Sequence, residues 1–149
     1  MIVTLAPLLW LTGSSSFESL LRGRGPLGRQ PPLLQAVQVL IVIDFFGYWL
    51  HRAFHAAKLW SFHPIHHSSA ELDWLSAARV HPVNDVVSKS IQAMTVVALG
   101  YAPALLAGAL PLFTAYAIFL HANVSWDFGP LRAVLASPRF HRWHHTSVE

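Results

Sequence analysis

An all-α integral membrane bundle, with histidine-bearing helix ends and interfacial helices on the cytoplasmic side, is the fold class that this sequence predicts. Three observations lead there. Of its 149 residues 54% are hydrophobic and only 11% charged, with a positive mean hydropathy of +0.43, a balance that ordinary soluble domains do not show. Two long apolar blocks occur, at 33–50 and 91–120, long enough to be tested as membrane helices. The ten histidines all lie outside these blocks, before or after them, where a membrane helix meets water.

Residues 1–12, "MIVTLAPLLWLT", are apolar but too short to span a bilayer, and they lack the basic start and small-residue cleavage site of a signal peptide. They read as the remnant of a longer helix or as an interfacial anchor. From Gly13 to Pro32 the text is rich in Gly, Ser, Pro and Arg, which predicts a connection. Residues 1–32 are therefore set apart from a membrane domain at 33–149.

Leu33 to Leu50, "LLQAVQVLIVIDFFGYWL", has Gln35, Gln38 and Asp44 as its clearly polar members. As a helix it is about 27 Å long, close to the thickness of the hydrocarbon core. No breaker separates it from "HRAFH", so the helix is expected to continue to Ala56. "ELDWLSAARVHP" at 71–82 predicts a short helix lying at the interface. A single straight helix over 91–120 would be about 45 Å long, too long for the bilayer core. Gly100, Pro103, Gly108 and Pro111 punctuate it, so two short helices in a hairpin are predicted. Such a hairpin returns the chain to the side it left, and histidines before and after it can then share one site. Tyr48, Trp60, Trp74, Trp126 and Trp143 are expected as interface anchors.

The formal charge of +3 comes from scattered Lys and Arg with no basic run, which points to anionic membrane lipids as the charged partner and excludes nucleic acid. Arg52, Lys58, Arg79, Lys89, Arg132, Arg139 and Arg142 lie in the histidine-bearing segments, against Arg22, Arg24 and Arg29 in the opposite loop. This asymmetry places the histidines on the cytoplasmic side. The Ala-, Leu- and Arg-rich text favours a bacterial inner membrane over an endoplasmic reticulum.

There is no cysteine, which excludes disulfides, thiolate-bound zinc and iron–sulfur clusters. A metal here must be held by histidine and carboxylate. The histidines fall into His51 and His55 in "HRAFH", His63, His66 and His67 in "HPIHH", and His141, His144 and His145 in "HRWHH", with His81 in "RVHP" and His121 in "LHAN". On a helix, residues three or four apart share a face, so H-x-x-x-H directs two imidazoles one way, and H-x-x-H-H does so for its first and second or first and third members. Three converging groups supply enough nitrogens for two ions of Fe, Zn, Cu or Ni. Asp44 and Tyr48 fall on the helix face of His51 and His55, and a carboxylate inside a membrane helix needs a partner. It is expected to fix a histidine ring or a neighbouring arginine.

The order "HRAFH", "HPIHH", "HRWHH" resembles the three histidine boxes of the membrane-bound fatty acid hydroxylase and sterol desaturase superfamily. The flanks "DFFGYWLHR", "HHSS" with "RVHP", and "HANV" before "SPRFHRWHH" are similar as well. The resemblance covers about residues 40–146. It implies a non-haem di-iron centre held by the eight box histidines, with His81 and His121 as further ligands. It also implies O₂ as co-substrate, electrons from a separate redox protein or reductase, and hydroxylation or desaturation of a fatty acyl, sphingolipid or sterol-like substrate. Family catalytic domains continue for some tens of residues past the third box, so a truncated C-terminus is expected.

Two other classes remain. A membrane metal-binding or metal-transport protein would line a path at mid-depth of the bilayer with ligands, whereas the apolar blocks hold no histidine. A histidine-ligated zinc hydrolase needs a general base, and neither H-E-x-x-H nor a Glu beside any box is present.

Overall fold

The computed structural model describes residues 19, 22, 23, 25 and 27–146. The apolar stretch 1–12 lies outside these. Among the described residues four α-helices have both ends placed: α1 (Pro32–Phe54), α2 (Pro82–Ala98), α3 (Pro103–His121) and α4 (Pro138–Thr146). Short 3-10 turns stand at Leu27–Arg29, Trp60–Phe62, Trp74–Ala78 and Gly129–Ala133, and there is no strand among the described residues. The all-α expectation is met.

Each of these four α-helices begins with proline as its first residue, the position at which a missing N–H costs nothing and the fixed φ suits the helix. α1 and α3 are long and apolar enough to cross a membrane. Their apolar side chains, among them Leu33, Ile41 and Leu112, are largely exposed, which is the surface of a helix bathed in lipid and not that of a soluble core. The protein is an integral membrane protein.

The chain divides into two compact units, one of residues up to Ala53 with Asp85–Pro111, the other of Phe54–Asn84 with Leu112 onward. In the first, Val39, Ile43, Val96, Val97 and Tyr101 form the core. Tyr101 Oη donates to Gln38 Oε1 at 2.7 Å. Gln35 Nε2 donates to the carbonyls of Gly28 and Gln30 at 3.1 and 2.6 Å. Both glutamines of the first apolar block thus work inside the unit, where buried polar groups must be satisfied.

The break predicted within 91–120 falls at Gly100. There Tyr101 N–H bonds Val96 C=O and Gly100 N–H bonds Val97 C=O, with Gly100 at φ +84°, the Schellman pattern that ends a helix on a left-handed residue. A Cβ on Gly25 would overlap Gly100 Cα, so glycine is needed on both sides of this approach. Two corrections follow. α2 starts at Pro82, well before the apolar block, and carries the Lys89–Asp85 pair at 2.7 Å; of the two hairpin helices only α3 meets the length and hydropathy of a membrane span. Pro111 sits inside α3 without ending it.

In the second unit, Asp73 caps the turn Trp74–Ala78 through a reciprocal capping box with Ser76, so the predicted interfacial helix is one short 3-10 element. Ser137 Oγ accepts from Phe140 N–H and starts α4. Trp74, Trp126 and Trp143 are exposed. Trp60 differs from the expected anchor: it is half-buried, with its ring 5.4 Å from His55 and 5.6 Å from His67.

Candidate metal centre

Four segments of the second unit bring histidines together: the chain just after α1, the turn 63–67, the end of α3, and α4. Two sets result. One ring nitrogen each of His66, His121, His141 and His145 lies within 4.8 Å of all the others, and the same holds for His55, His67 and His144.

The doubled histidines explain the split. His66 belongs to one set and His67 to the other; His145 and His144 divide the same way. Neighbouring residues point in different directions, so each adjacent pair hands one ring to each of two places. Helical spacing pairs the first member of each triplet with the second or the third, and the structure sends the second and third to different sets.

Partners on the far side of the rings fix their tautomers. The His66 Nδ1–H donates to Arg79 C=O at 3.2 Å, and that of His121 to Ala117 C=O at 2.7 Å. A carbonyl only accepts, so in the neutral ring the proton is on Nδ1 and Nε2 carries a lone pair. Yet these two Nε2 atoms face one another at 3.3 Å. Two lone pairs so placed repel unless a cation lies between them.

A proton is a poor candidate for that cation. The pKa of His66 is lowered to about 3, chiefly by burial and then by His121 and His63. Burial, followed by His144 and His63, lowers His67 to about 3 as well, and burial followed by His55 lowers His144 to about 4. His145 is also lowered, by burial first and then by His141. The rings are therefore neutral near pH 7, the state in which imidazole binds metal.

Distances among His66, His121, His141 and His145 suit a common ion. His141 Nε2 is 3.1 Å from His121 Nε2 and 3.1 Å from His145 Nε2. With imidazole–metal bonds of about 2.0–2.1 Å, ligands at octahedral or tetrahedral angles stand about 2.9–3.4 Å apart. Ring N–H groups donated to backbone carbonyls are likewise what metal-bound histidines require. The residues fit a metal.

The other predicted site residues are placed as follows. His51 lies in the last turn of α1 in the first unit, half-buried, one turn before His55. His63 belongs to neither set; it is 2% exposed, its ring centroid stands 4.8 Å from that of His55, and its Nδ1–H donates to Asn84 Oδ1 at 2.9 Å. His81 also stands outside both sets: its Nδ1 accepts from Val83 N–H at 3.1 Å and its ring packs on Phe62, so it caps α2. Asp44 is exposed and makes no hydrogen bond or ion pair among the described residues. Tyr48 is exposed and accepts from Arg52 Nη1 at 3.1 Å. The expectation that Asp44 holds a histidine or an arginine is corrected: it shares the face of His51 but lies seven residues earlier, about 10 Å along the axis. Asn84 was missed by sequence reasoning, and its one signal was an amide at the start of α2.

Fold and site together define a membrane protein with two clusters of histidines able to hold metal. The chain belongs to the fatty acid hydroxylase family, whose model matches residues 36–149. It is 36% identical over 127 residues to the ornithine lipid hydroxylase OlsE of Rhizobium tropici, covering 79% of this chain and 36% of that protein. It is 34% identical over 104 residues to the alkylglycerol monooxygenase of Homo sapiens, covering 69% of this chain and 23% of that enzyme. A putative methylsterol monooxygenase of Dictyostelium discoideum is 35% identical over 69 residues, covering 45% of this chain and 26% of that protein. The chain thus spans about a third or less of the length of these relatives. No solved structure matches it.

Proposed function

We propose that this chain is the metal-bearing part of a membrane-bound lipid oxygenase that uses O₂ and external electrons to hydroxylate or desaturate C–H bonds. The observation that carries this is the pair of histidine sets, with the lone pairs of His66 and His121 opposed at 3.3 Å in one of them, in a chain of the fatty acid hydroxylase family. The relatives named above are a hydroxylase of an ornithine lipid and monooxygenases of an alkylglycerol and a methylsterol. Their differing polar parts support a lipid substrate without selecting one.

His66, His121, His141 and His145 would hold one ion, and His55, His67 and His144 a second; His51, the other histidine of the first box, is a ligand by the resemblance of that box alone. His63 stands beside both sets and is the remaining box ligand. When bound, two irons would supply reductive activation of O₂ and removal of hydrogen from an unactivated carbon. The chain's own share begins with orientation: the carbonyls of Arg79 and Ala117 and the amide of Asn84 lock three rings with Nδ1 protonated, which aims each Nε2 inward. Burial keeps the rings neutral and limits water around them. The exposed apolar faces of α1 and α3 keep the site at the membrane, where lipid arrives. Electrons would come from a separate redox protein or reductase. The excess of basic residues in the histidine-bearing segments supports a cytoplasmic site, and the composition supports a bacterial inner membrane. Metal transport is not favoured, because the histidines gather at helix ends and not along a span.

Elemental analysis of the detergent-purified full chain, beside a His67→Ala/His144→Ala variant, tests this reading. About two irons per chain, reduced in the variant, together with O₂- and reductant-dependent modification of a lipid, are expected. Folded protein without metal, or lipid modification that needs no O₂, would overturn it.

A further inference from the structure

Beside the histidine sets the second unit holds a cavity of about 380 Å³, lined by Ser69, Ala70, Glu71, Leu72, Asn123, Arg142 and Thr146. Its walls are continuous with the ligand segments. Ser69 follows His67 by two residues, Asn123 follows His121 by two, Arg142 is next to His141, and Thr146 is next to His145.

The chemistry of the lining is not that of a lipid-tail pocket. Glu71 and Arg142 carry opposite charges on one cavity, yet they form no ion pair with each other or with any other charge among the described residues. Arg142 is held in place instead, with Nη1 donating to Asn123 Oδ1 at 2.7 Å and Nη2 to Ala122 C=O at 3.3 Å. Neither acceptor neutralises it. A fixed cation and a separate carboxylate on one cavity match a ligand that carries both charges.

We propose that this cavity binds the zwitterionic headgroup of a lipid, its oxyanion against Arg142 and its ammonium against Glu71. As a statement about substrate class it rests on the lipid-oxygenation reading, but binding can be measured without turnover. Arginine suits carboxylate and phosphate alike, so the experiment carries one probe of each kind.

Iron-loaded full chain in detergent is titrated calorimetrically with N-octanoyl-lysine and with dihexanoyl phosphatidylethanolamine, both zwitterions. N-octanoyl-norleucine lacks the ammonium, and the methyl ester of N-octanoyl-lysine lacks the carboxylate. At least one zwitterion should bind about tenfold or more tighter than both deficient probes, and the tighter zwitterion identifies the oxyanion. Glu71→Gln should erase the advantage over norleucine, and Arg142→Gln the advantage over the ester. Glu71 is exposed and makes no hydrogen bond among the described residues, so its substitution decides the matter even if the Arg142 variant does not fold. Equal binding of all four probes, or ratios unchanged in Glu71→Gln, overturns the proposal. Failure to take up iron counts against the oxygenase reading, and the same titrations on metal-free protein then still decide for or against the headgroup site.

Discussion

Replacing His121 by Phe should remove one metal and leave the other. His121 is 3% exposed and its Nε2 stands 3.3 Å from that of His66 and 3.1 Å from that of His141, so it lies within one set only. Iron content should fall from about two to about one per chain if each set holds its own ion. The stability readout follows from mass action: an ion present at a hundred times its dissociation constant stabilises the folded state by about 2.7 kcal/mol. For a chain of this size each kcal/mol shifts the melting temperature by about 2–4 °C, so each ion should raise it by about 5–11 °C. The wild type should gain roughly twice what His121→Phe gains. Metal analysis and thermal unfolding in detergent, with and without iron, give both numbers. If His121→Phe still binds two irons, or gains as much stability from iron as the wild type, the four-histidine set does not mark an ion and the argument from opposed lone pairs is wrong.

Further outcomes are open to measurement. Asn84→Ala leaves the buried His63 N–H without its acceptor and should cost about 1–3 kcal/mol, seen as a lower melting temperature, with Asn84→Gln less damaging if its amide still reaches. In metal-free protein the lowered pKa values of His66, His67 and His144 mean that the unfolded chain binds more protons below pH 6.5. Stability should therefore be full above that pH and decline as pH falls toward 4, by up to about 1.4 kcal/mol per pH unit for each such histidine; a flat profile would contradict the buried neutral rings. Gly25→Ala should lose most folded protein on expression, because its methyl group would overlap Gly100. Asp44→Asn should leave iron content unchanged, since Asp44 makes no hydrogen bond or ion pair among the described residues; loss of iron would restore it to the site.

Much of this was legible in the sequence. The helix over the first apolar block was predicted within two residues of its observed end at Phe54, because hydropathy and the absence of a breaker act locally. Gly100 and Pro103 were read as punctuation and do end one helix and begin the next. What sequence could not give was direction. Helical periodicity put Asp44 on the face of His51 but says nothing of the separation along the axis. It paired His63 with His66 or His67, and His141 with His144 or His145, without saying which member of each adjacent pair goes to which set, and it could not show that His63 joins neither. The carbonyls of Arg79 and Ala117 have no side-chain signature at all, and an Asn beside a helix start is too common to point to His63. His81 looked like a ligand by its company; only the fold shows that it caps α2.

The set of His66, His121, His141 and His145 draws on the turn after α1, the end of α3 and α4. Its members leave the ribosome far apart in time, and the final two arrive last. No intermediate of synthesis lacking α4 can offer four imidazoles to an ion there. If this set holds a metal, loading it would mark chains in which the end of α3 and α4 have come together, and a chain stalled before α4 would leave it empty.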